Sequence, residues 1–340
     1  MKALVWKDKD LIALEDVPDP EPEAGKAIIR VGAASFCGSD VTIVSGKHPR
    51  AKAPLVLGHE FMGTIESFTG ALPPGIAVGQ RVAVEPLLAC GSCRECSRGD
   101  EHVCENLKLL GVEANGAFAE YVNVPLQRIY PLPETISDQE GALIEPLAVA
   151  VHAVEEAAPG PEDRVAIFGG GPIGLLVAQV ARSAGAADIF IIEPNDFRRQ
   201  LAAHLGLKTI DPAEQDPVAA VLELTQGKGA DVTFDAAGVP AIGSQMIPIS
   251  AIKAKIVMVA IHKKPCVVFF QQLAYREQTI VGVRIYARGN FEKAIRMCAE
   301  GEVRLRPLIY RIFPFEEAIA AFNTAKSGAA SCKVVVHQRE

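Results

Sequence analysis

The stretch RVAIFGGGPIGLLVAQVARS, residues 164–183, decides the fold of this chain. Its first five residues are mostly apolar and predict a buried strand. Three glycines follow, and Pro172 then begins an apolar helix, because proline is tolerated in the first turn of a helix. The order strand, glycine turn and helix is typical of a parallel sheet covered by helices.

The glycines of this stretch have the spacing of a dinucleotide-binding loop. Gly169 permits a tight turn, Gly171 lets a pyrophosphate approach the helix N-terminus, and Gly174 lets helix and strand pack closely. A second predicted strand ends in Glu193, where a carboxylate is expected to accept hydrogen bonds from ribose hydroxyls. The predicted cofactor-binding residues are Gly169, Gly171, Pro172, Ile173, Gly174, Glu193 and Arg198.

Glu193 favours NAD over NADP, because a 2′-phosphate beside this carboxylate would meet a like charge. Arg198 and Arg199 leave NADP open, since a basic group near the ribose can accommodate the phosphate. The alternative interpretation of the two arginines is an exposed helix face.

The same alternation of strands and helices continues along the chain. The predicted strands are 164–168, 188–193, 231–235 and 255–260, and the predicted helices are 172–184, 196–205 and 240–250. This pattern predicts an α/β fold with a doubly wound parallel sheet. Before about residue 145 the chain has short β-rich runs broken by proline and glycine, which predict a separate β-dominated domain. A length of 340 residues also favours two domains.

The composition narrows the class of protein. With 49% hydrophobic and 22% charged residues, a folded globular protein is expected. A net charge of -7 without long basic runs argues against nucleic-acid binding. The most apolar tract, 165–181, contains glycines and is short for a membrane span, so we expect no membrane partner. Because the N-terminus resembles a strand and not a signal peptide, the expected location is cytoplasmic.

Four of the eight cysteines form one tight cluster, Cys90, Cys93, Cys96 and Cys104. One short loop could wrap these four thiols around a tetrahedral ion, which predicts a structural zinc site without an open position. An iron–sulfur cluster is the main alternative, since the same ligands would serve. Four unliganded cysteines at this spacing are the remaining possibility.

A second set of metal-binding residue types is spread along the chain. Cys37, His59, Glu60 and Glu145 could form a mixed sulfur, nitrogen and oxygen site, but spacing alone does not bring them together. Taken singly, each could be a buried structural residue or a surface acid.

These motifs together resemble the zinc-containing medium-chain alcohol dehydrogenases, in the branch with sorbitol and 2,3-butanediol dehydrogenases. The matching segments are 37–40, 58–63, 90–104, 116–122, 145–154 and 169–193. The resemblance implies a GroES-like catalytic domain and a Rossmann domain, assembled as a homodimer or homotetramer. The GroES-like domain is expected to span 1–147 and 289–340, with a structural zinc lobe at about 85–110. The Rossmann domain is expected at 148–288.

The resemblance also assigns roles around a catalytic zinc ion. Cys37, His59 and Glu60 are implied as its ligands, and Glu145 is implied as a ligand that acts directly or through water. Ser39 resembles the serine that relays a proton from the substrate. The open position of such an ion binds a substrate hydroxyl and lowers its pKa, so that hydride passes to NAD.

The expected substrate is a small-molecule secondary alcohol, diol or polyol, which is oxidised to the ketone. Sorbitol dehydrogenases carry a tyrosine and an Arg-Tyr pair where this chain has Ile43 and Ile285-Tyr286. With fewer polar side chains to bind substrate hydroxyls, the site favours a small alcohol or vicinal diol over a hexitol. Arg284 or Arg288 could replace the missing arginine. The alternatives are an enzyme like L-threonine 3-dehydrogenase and a non-catalytic nucleotide-binding protein on the same fold.

Overall fold

The computed structural model describes residues 1–71, 75–328 and 332–338. The chain divides into two compact units, which are described one at a time. The first unit comprises Met1–Glu145, Ala287–Glu300 and Leu305–Glu340. The second unit comprises Pro146–Tyr286 and Gly301–Arg304.

The strands of the described residues are numbered in chain order. They are β1 Lys2–Asp8, β2 Leu11–Asp16, β3 Lys26–Ser35, β4 Leu55–Val56, β5 Glu60–Thr69, β6 Arg81–Val84, β7 Leu87–Leu88, β8 Lys108–Leu109, β9 Tyr121–Pro125, β10 Ile129–Pro131, β11 Arg164–Phe168, β12 Asp188–Ile192, β13 Lys208–Ile210, β14 Ala230–Asp235, β15 Ser250–Met258, β16 Thr279–Gly282, β17 Ile309–Pro314 and β18 Lys333–His337.

The α-helices of the described residues are numbered in the same way. They are α1 Gly38–Val44, α2 Arg94–Arg98, α3 Asp138–Gly141, α4 Ile144–Ala157, α5 Pro172–Ser183, α6 Asp196–His204, α7 Pro217–Leu224, α8 Met246–Ile249, α9 Phe270–Tyr275, α10 Asn290–Ala299 and α11 Ala318–Lys326. Short 3-10 helices lie at Glu101–Val103, Leu126–Arg128, Pro240–Ser244, Arg306–Leu308 and Phe315–Glu317. Among these helices none is both long enough and apolar enough to cross a membrane.

The main sheet of the first unit has the strand order β10-β6-β5-β3-β18-β17, and β9 also pairs with β3. Strand β3 alternates inward and outward residues, with Ala27, Ile29 and Val31 buried. It pairs with β5 in antiparallel register, from Lys26 opposite Thr69 to Ser35 opposite Glu60. Strand β18 reaches the middle of this sheet from far along the chain.

The second unit is built on a six-stranded parallel sheet with the order β13-β12-β11-β14-β15-β16. In chain order this is the third, second, first, fourth, fifth and sixth strand, which is the arrangement of dinucleotide-binding folds. Strand β11 lies in the middle and is almost fully buried, because helices cover parallel sheets on both faces. The predicted doubly wound sheet is confirmed.

One predicted helix was wrong. The segment 240–250 forms a 3-10 helix, Pro240–Ser244, followed by the single turn α8, and β15 already begins at Ser250. Pro248 explains the break after Ser244, since it lacks the N–H group that would donate to the carbonyl oxygen of Ser244 in a continuous α-helix. Strand β13 has three residues and helix α7 has eight, and neither was predicted from the sequence.

Candidate functional site

The segment around Cys37 is shaped by the start of helix α1. Cys37 is the N-cap residue, and its backbone N–H donates to Oδ2 of Asp40 over 2.8 Å. A carboxylate at the third helical position satisfies a backbone donor that has no partner within the helix. Asp40 is completely buried. This capping contact places the thiol at the point where β3 ends and the helix begins.

The sheet register brings His59 and Glu60 to the same place. Strand β5 begins at Glu60, directly opposite Ser35 at the end of β3, and Cys37 follows two residues later. The candidate ligand atoms of Cys37, His59 and Glu60 all lie within 4.8 Å of one another. Gly58 precedes them at a φ of +96°, where a Cβ would lie 2.8 Å from the backbone nitrogen of Phe118. Only glycine fits that position without strain.

His59 lies between the hydroxyl of Ser39 and the carboxylate of Asp40, one near each ring nitrogen. Its Nε2 is 3.2 Å from Oγ of Ser39, and its Nδ1 is 3.7 Å from Oδ1 of Asp40. Burial alone would lower the pKa of His59, but the negative charge of Asp40 and then Cys37 raise it well above its ordinary value. A buried carboxylate behind a histidine is the usual support of a metal-binding imidazole. A zinc ion at this place would bind His59 in its neutral form.

Glu60 is held by two donors that the sequence analysis missed. Lys333, at the start of β18, contacts both carboxylate oxygens of Glu60, and Ser35 Oγ donates to the same carboxylate. The third contact of the Lys333 ammonium is the carbonyl oxygen of Phe36, at 3.3 Å. Burial would lower the pKa of Lys333, but Glu60 and then Cys37 raise it. The sequence signal was a lysine at the edge of an apolar strand, which does not identify a partner.

Glu145 is buried in the first turn of helix α4, where its charge acts on Lys333. It lies outside the three-residue group formed by Cys37, His59 and Glu60. A carboxylate in this position can accept a proton or bind water next to a metal ion. The role of Glu145 as a ligand, directly or through water, stays a prediction.

The four clustered cysteines are also brought together. Cys93 is the N-cap residue of α2, and all four Sγ atoms lie within 4.8 Å of one another. The Sγ atoms of Cys90 and Cys96 are 3.9 Å apart. A tetrahedral zinc ion with Zn–S bonds of about 2.3 Å requires about 3.8 Å between sulfurs. The spacing fits one ion, whereas an iron–sulfur cluster needs room for several atoms inside its ligands.

Backbone N–H groups surround these sulfurs. Cys90 N and Asn106 N donate to Cys104 Sγ over 3.4 and 3.3 Å, and Cys96 N donates to Cys93 Sγ over 3.5 Å. Hydrogen bonds from the backbone of Ser92 and then Cys93 lower the pKa of Cys90 to about 6. Burial and the neighbouring thiol of Cys93 raise the pKa of Cys96 to about 12. A bound zinc ion would hold all four sulfurs as thiolates.

The second unit contains a cavity of about 540 Å³ at the carboxyl ends of its strands. Gly169 has a φ of +102°, and a Cβ on Gly174 would lie only 1.8 Å from the oxygen of Gly169. These glycines let the backbone turn and let α5 pack against β11. The predicted cofactor residues that line the cavity are Gly169, Gly171, Pro172, Ile173, Glu193 and Arg198.

Glu193 and Arg198 form the end of this cavity that would receive a ribose. Glu193 is buried, its Oε2 accepts from Gly170 N over 2.7 Å, and its Oε1 accepts from Asn195 N over 2.8 Å. Nη1 of Arg198 is 3.5 Å from Glu193 Oε2. Arg199 instead pairs with Asp211 at 2.8 Å. Of the two arginines, only Arg198 lines the cavity.

Asp235 also organises this cavity, although no sequence motif indicates it. It is fully buried at the end of β14, and its Oδ1 accepts from Ala237 N at 3.0 Å and Gly238 N at 2.8 Å. Its Oδ2 is 2.5 Å from Nε2 of His262. Ala237 lines the cavity, so Asp235 fixes one of its walls. The available sequence signal for Asp235 was an acidic residue at the end of a predicted strand.

Two known protein families match this chain, one mainly in each of its two units. Residues 23–134 match the alcohol dehydrogenase GroES-like domain, and residues 172–300 match the zinc-binding dehydrogenase family. Each of these matches lies in a region that the sequence motifs had singled out. The predicted fold class and the predicted resemblance are confirmed.

Individual relatives cover nearly the whole chain. It is 38% identical to 2-dehydro-3-deoxy-L-galactonate 5-dehydrogenase of Pseudoalteromonas atlantica, over 93% of this chain and 92% of the relative. It is 33% identical to L-threonine 3-dehydrogenase of Bacillus subtilis, over 99% of this chain and 98% of the relative. The structure of 2R,3R-butanediol dehydrogenase from Bacillus subtilis is 32% identical, with a TM-score of 0.92 and 99% coverage of both chains. Among other similar structures, one holds NADH and another NADP.

Proposed function

We propose, since the chain belongs to the zinc-containing medium-chain alcohol dehydrogenase family, that its substrate is a secondary alcohol, diol or polyol, which it oxidises to the ketone. The chain is an NAD-dependent zinc dehydrogenase that acts on CH–OH donors. The observation that carries the proposal is the group formed by Cys37, His59 and Glu60, whose candidate ligand atoms lie within 4.8 Å of one another.

The three residues offer one thiolate, one imidazole and one carboxylate, which is a donor set that suits a catalytic zinc ion. When bound, zinc would supply a Lewis acid that lowers the pKa of the substrate hydroxyl. Asp40 places a carboxylate 3.7 Å from the imidazole of His59, and Lys333 with Ser35 orients Glu60. These supports fix the ligands before a metal ion arrives.

Ser39 is the proposed carrier of the substrate proton. Its hydroxyl lies 3.2 Å from His59 Nε2, so it is next to the ligand group without belonging to it. A hydroxyl can accept a proton and pass on its own, as a relay requires. Glu145 with water is the second proposed route, supported by its burial and its charge near Lys333.

NAD is the proposed cofactor of the second unit, with a preference over NADP. Backbone N–H groups at the start of α5 would bind the pyrophosphate, and Gly171 leaves room for it. Glu193 would accept hydrogen bonds from the ribose hydroxyls. Its negative charge opposes a 2′-phosphate, while Arg198 at 3.5 Å reduces that opposition.

A small secondary alcohol or vicinal diol is the proposed substrate, in preference to a hexitol. Ile43 is completely buried, and no polar side chain stands at this position to bind an additional hydroxyl. The second candidate is L-threonine, which is supported by the 33% identity to an L-threonine 3-dehydrogenase. A kinetic panel of 2,3-butanediol, sorbitol, galactitol, L-threonine and simple secondary alcohols tests the choice. A strong preference for a hexitol would contradict it.

The proposed catalytic site is tested by Cys37→Ala and His59→Ala. We expect both variants to lose at least about 1,000-fold in turnover, because the ion would lose a ligand and its Lewis acidity. NADH binding, followed by fluorescence, should change less than about twofold, since the cofactor residues are untouched.

Cys298→Ala is the matched control, because burial raises the pKa of this thiol to about 12 and it lies outside both candidate metal groups. Its turnover should stay at the wild-type level. Retained turnover in both ligand variants would exclude the proposed site. If the wild type forms no NADH with any alcohol but binds NADH, the non-catalytic alternative holds.

We also propose a homodimer or a homotetramer. Ile261, Phe270 and Tyr275 of the second unit are 85%, 68% and 80% exposed, which is unusual for such large apolar side chains. Strand β16 is the outermost strand of the parallel sheet, and no strand among the described residues pairs with its outer edge. Sedimentation equilibrium measures the assembly, and a monomer at micromolar concentration would contradict it.

A further inference from the structure

The strongest unassigned feature of the first unit is the lysine beside the candidate catalytic ligands. Lys333 is only 4% exposed, although lysine is among the residues most rarely buried. All three donors of its ammonium group have acceptors, namely both oxygens of Glu60 and the carbonyl oxygen of Phe36. A buried ammonium with complete partners is costly to place and has a defined geometry.

The charges around this lysine do not balance without it. Cys37, Glu60 and Glu145 would bring three negative charges to one divalent cation. Lys333 contacts Glu60, and the charges of Cys37 and Glu145 both act on it. The positive charge of Lys333 therefore offsets one of the negative charges that surround the proposed ion.

We propose that Lys333 is a positioning residue of the catalytic zinc site, which fixes Glu60 beside Cys37 and supplies the positive charge that lets the site accept an anionic ligand. The inference rests on the proposed roles of Cys37, His59 and Glu60. A neutral donor already binds the same carboxylate, because Ser35 Oγ contacts Glu60. The distinctive contribution of Lys333 is thus its charge and not only its hydrogen bond.

The experiment uses the holoenzyme with cobalt(II) in the catalytic site, since cobalt reports ligand binding by its visible absorption. Azide is the anionic probe and imidazole the neutral probe. In Lys333→Gln, which keeps a donor near Glu60 but loses the charge, the Kd of azide should rise at least about tenfold. At an effective dielectric constant of about 20, a unit charge about 12 Å from the anion changes its Kd about tenfold and a nearer charge changes it more, so tenfold is the smallest effect expected. The Kd of imidazole should change less than about twofold.

Three further variants separate charge from structure. Lys333→Arg should restore azide binding to within about threefold of the wild type, because it restores the charge. Ser35→Ala removes the neutral donor to the same carboxylate and should change the Kd of both probes equally. Lys326→Met, on an exposed lysine that pairs with Asp10, should change neither.

Some outcomes overturn the inference and others overturn its premise. If Lys333→Gln changes both probes equally or neither, Lys333 is merely structural. If the variant does not fold, Glu145→Gln removes one negative charge from the same site at a residue outside the three-residue group, and azide should then bind several-fold more tightly than to the wild type. An unchanged azide Kd in Glu145→Gln would reject the role of charge. If wild-type protein binds metal only at the four-cysteine site, the proposed function itself fails.

Discussion

Glu193 shows how one side chain can select between two cofactors. Its two carboxylate oxygens each accept a backbone N–H, from Gly170 and Asn195, so the group is fixed in place and remains a good acceptor. Arg198 lies 3.5 Å away and partly offsets the negative charge. The preference for NAD is therefore a balance between an acid that opposes a phosphate and a base that would bind it.

We expect Glu193→Gln to reduce the preference for NAD. The variant keeps the shape but loses the charge, so kcat/KM with NAD should fall about tenfold, the usual cost of a hydrogen bond to a charged group. With NADP the value should rise, because the repulsion of the 2′-phosphate is gone. Steady-state kinetics with both dinucleotides measure the ratio.

Two matched variants give this test its controls. Arg198→Ala should lower kcat/KM with NADP more than with NAD, since Arg198 is the arginine that lines the cavity among the described residues. Glu214→Gln, at an exposed position of the same unit, should leave the ratio unchanged. An unchanged ratio in Glu193→Gln would show that Glu193 does not choose the cofactor.

At the scale of elements, the four-cysteine loop is too small to fold by itself. Helix α2 has five residues and strands β7 and β8 have two each, which is well below the length of a stable isolated element. Arg128 pairs with buried Glu85 at 2.9 Å and with half-buried Glu101 at 2.6 Å, and these contacts tie the loop to the neighbouring sheet. A metal ion is expected to supply the remaining stability.

Cys93→Ser should abolish zinc binding at the four-cysteine loop and lower the stability of the loop. We expect the zinc content to fall by about one ion per chain and the unfolding temperature to fall by several degrees, because the loop loses its cross-link. Elemental analysis and scanning calorimetry measure the two effects. Cys298→Ser, a thiol outside both groups, should change neither. Full zinc content in Cys93→Ser would contradict the assignment.

The elements also show what could be predicted from the sequence. The loop between β11 and α5 was predictable, because the glycines at 169 and 174 are required by the local backbone and no distant residue decides them. The helix predicted at 240–250 failed, because Pro248 outweighed the apolar pattern. Sequence patterns therefore predict a segment correctly when the contacts that determine its conformation lie within the segment.

The candidate catalytic site depends on contacts that no local rule contains. Residue types suggested Cys37, His59 and Glu60, but only the register of β3 with β5 brings them together. Lys333 was not predictable, because it reaches Glu60 across 273 residues through the position of β18 in the sheet. Resemblance to a family supplied the ligand set, whereas the partners behind the ligands required coordinates.

At the scale of the whole molecule, each unit carries its own ligand site, so each ligand should protect its own part of the chain. We expect NADH to slow amide hydrogen exchange at 169–174 and 236–238, because binding stabilises the folded cavity. Chelation should instead speed exchange at 90–104. Mass spectrometry of exchanged peptides measures both, with strand β17 as a segment that neither treatment should alter. Protection by NADH confined to 90–104 would contradict the proposed cofactor site.

The pairing of Lys333 with Glu60 has a consequence for synthesis on the ribosome. At about 5–20 residues per second, Lys333 is translated roughly 14–55 s after Glu60, since 273 residues separate them. During that interval the nascent chain holds a carboxylate and a thiol without their future counter-ion. The buried ion pair around Glu60 can therefore form only after β18 has been translated, which makes this late strand the step that times completion of the site.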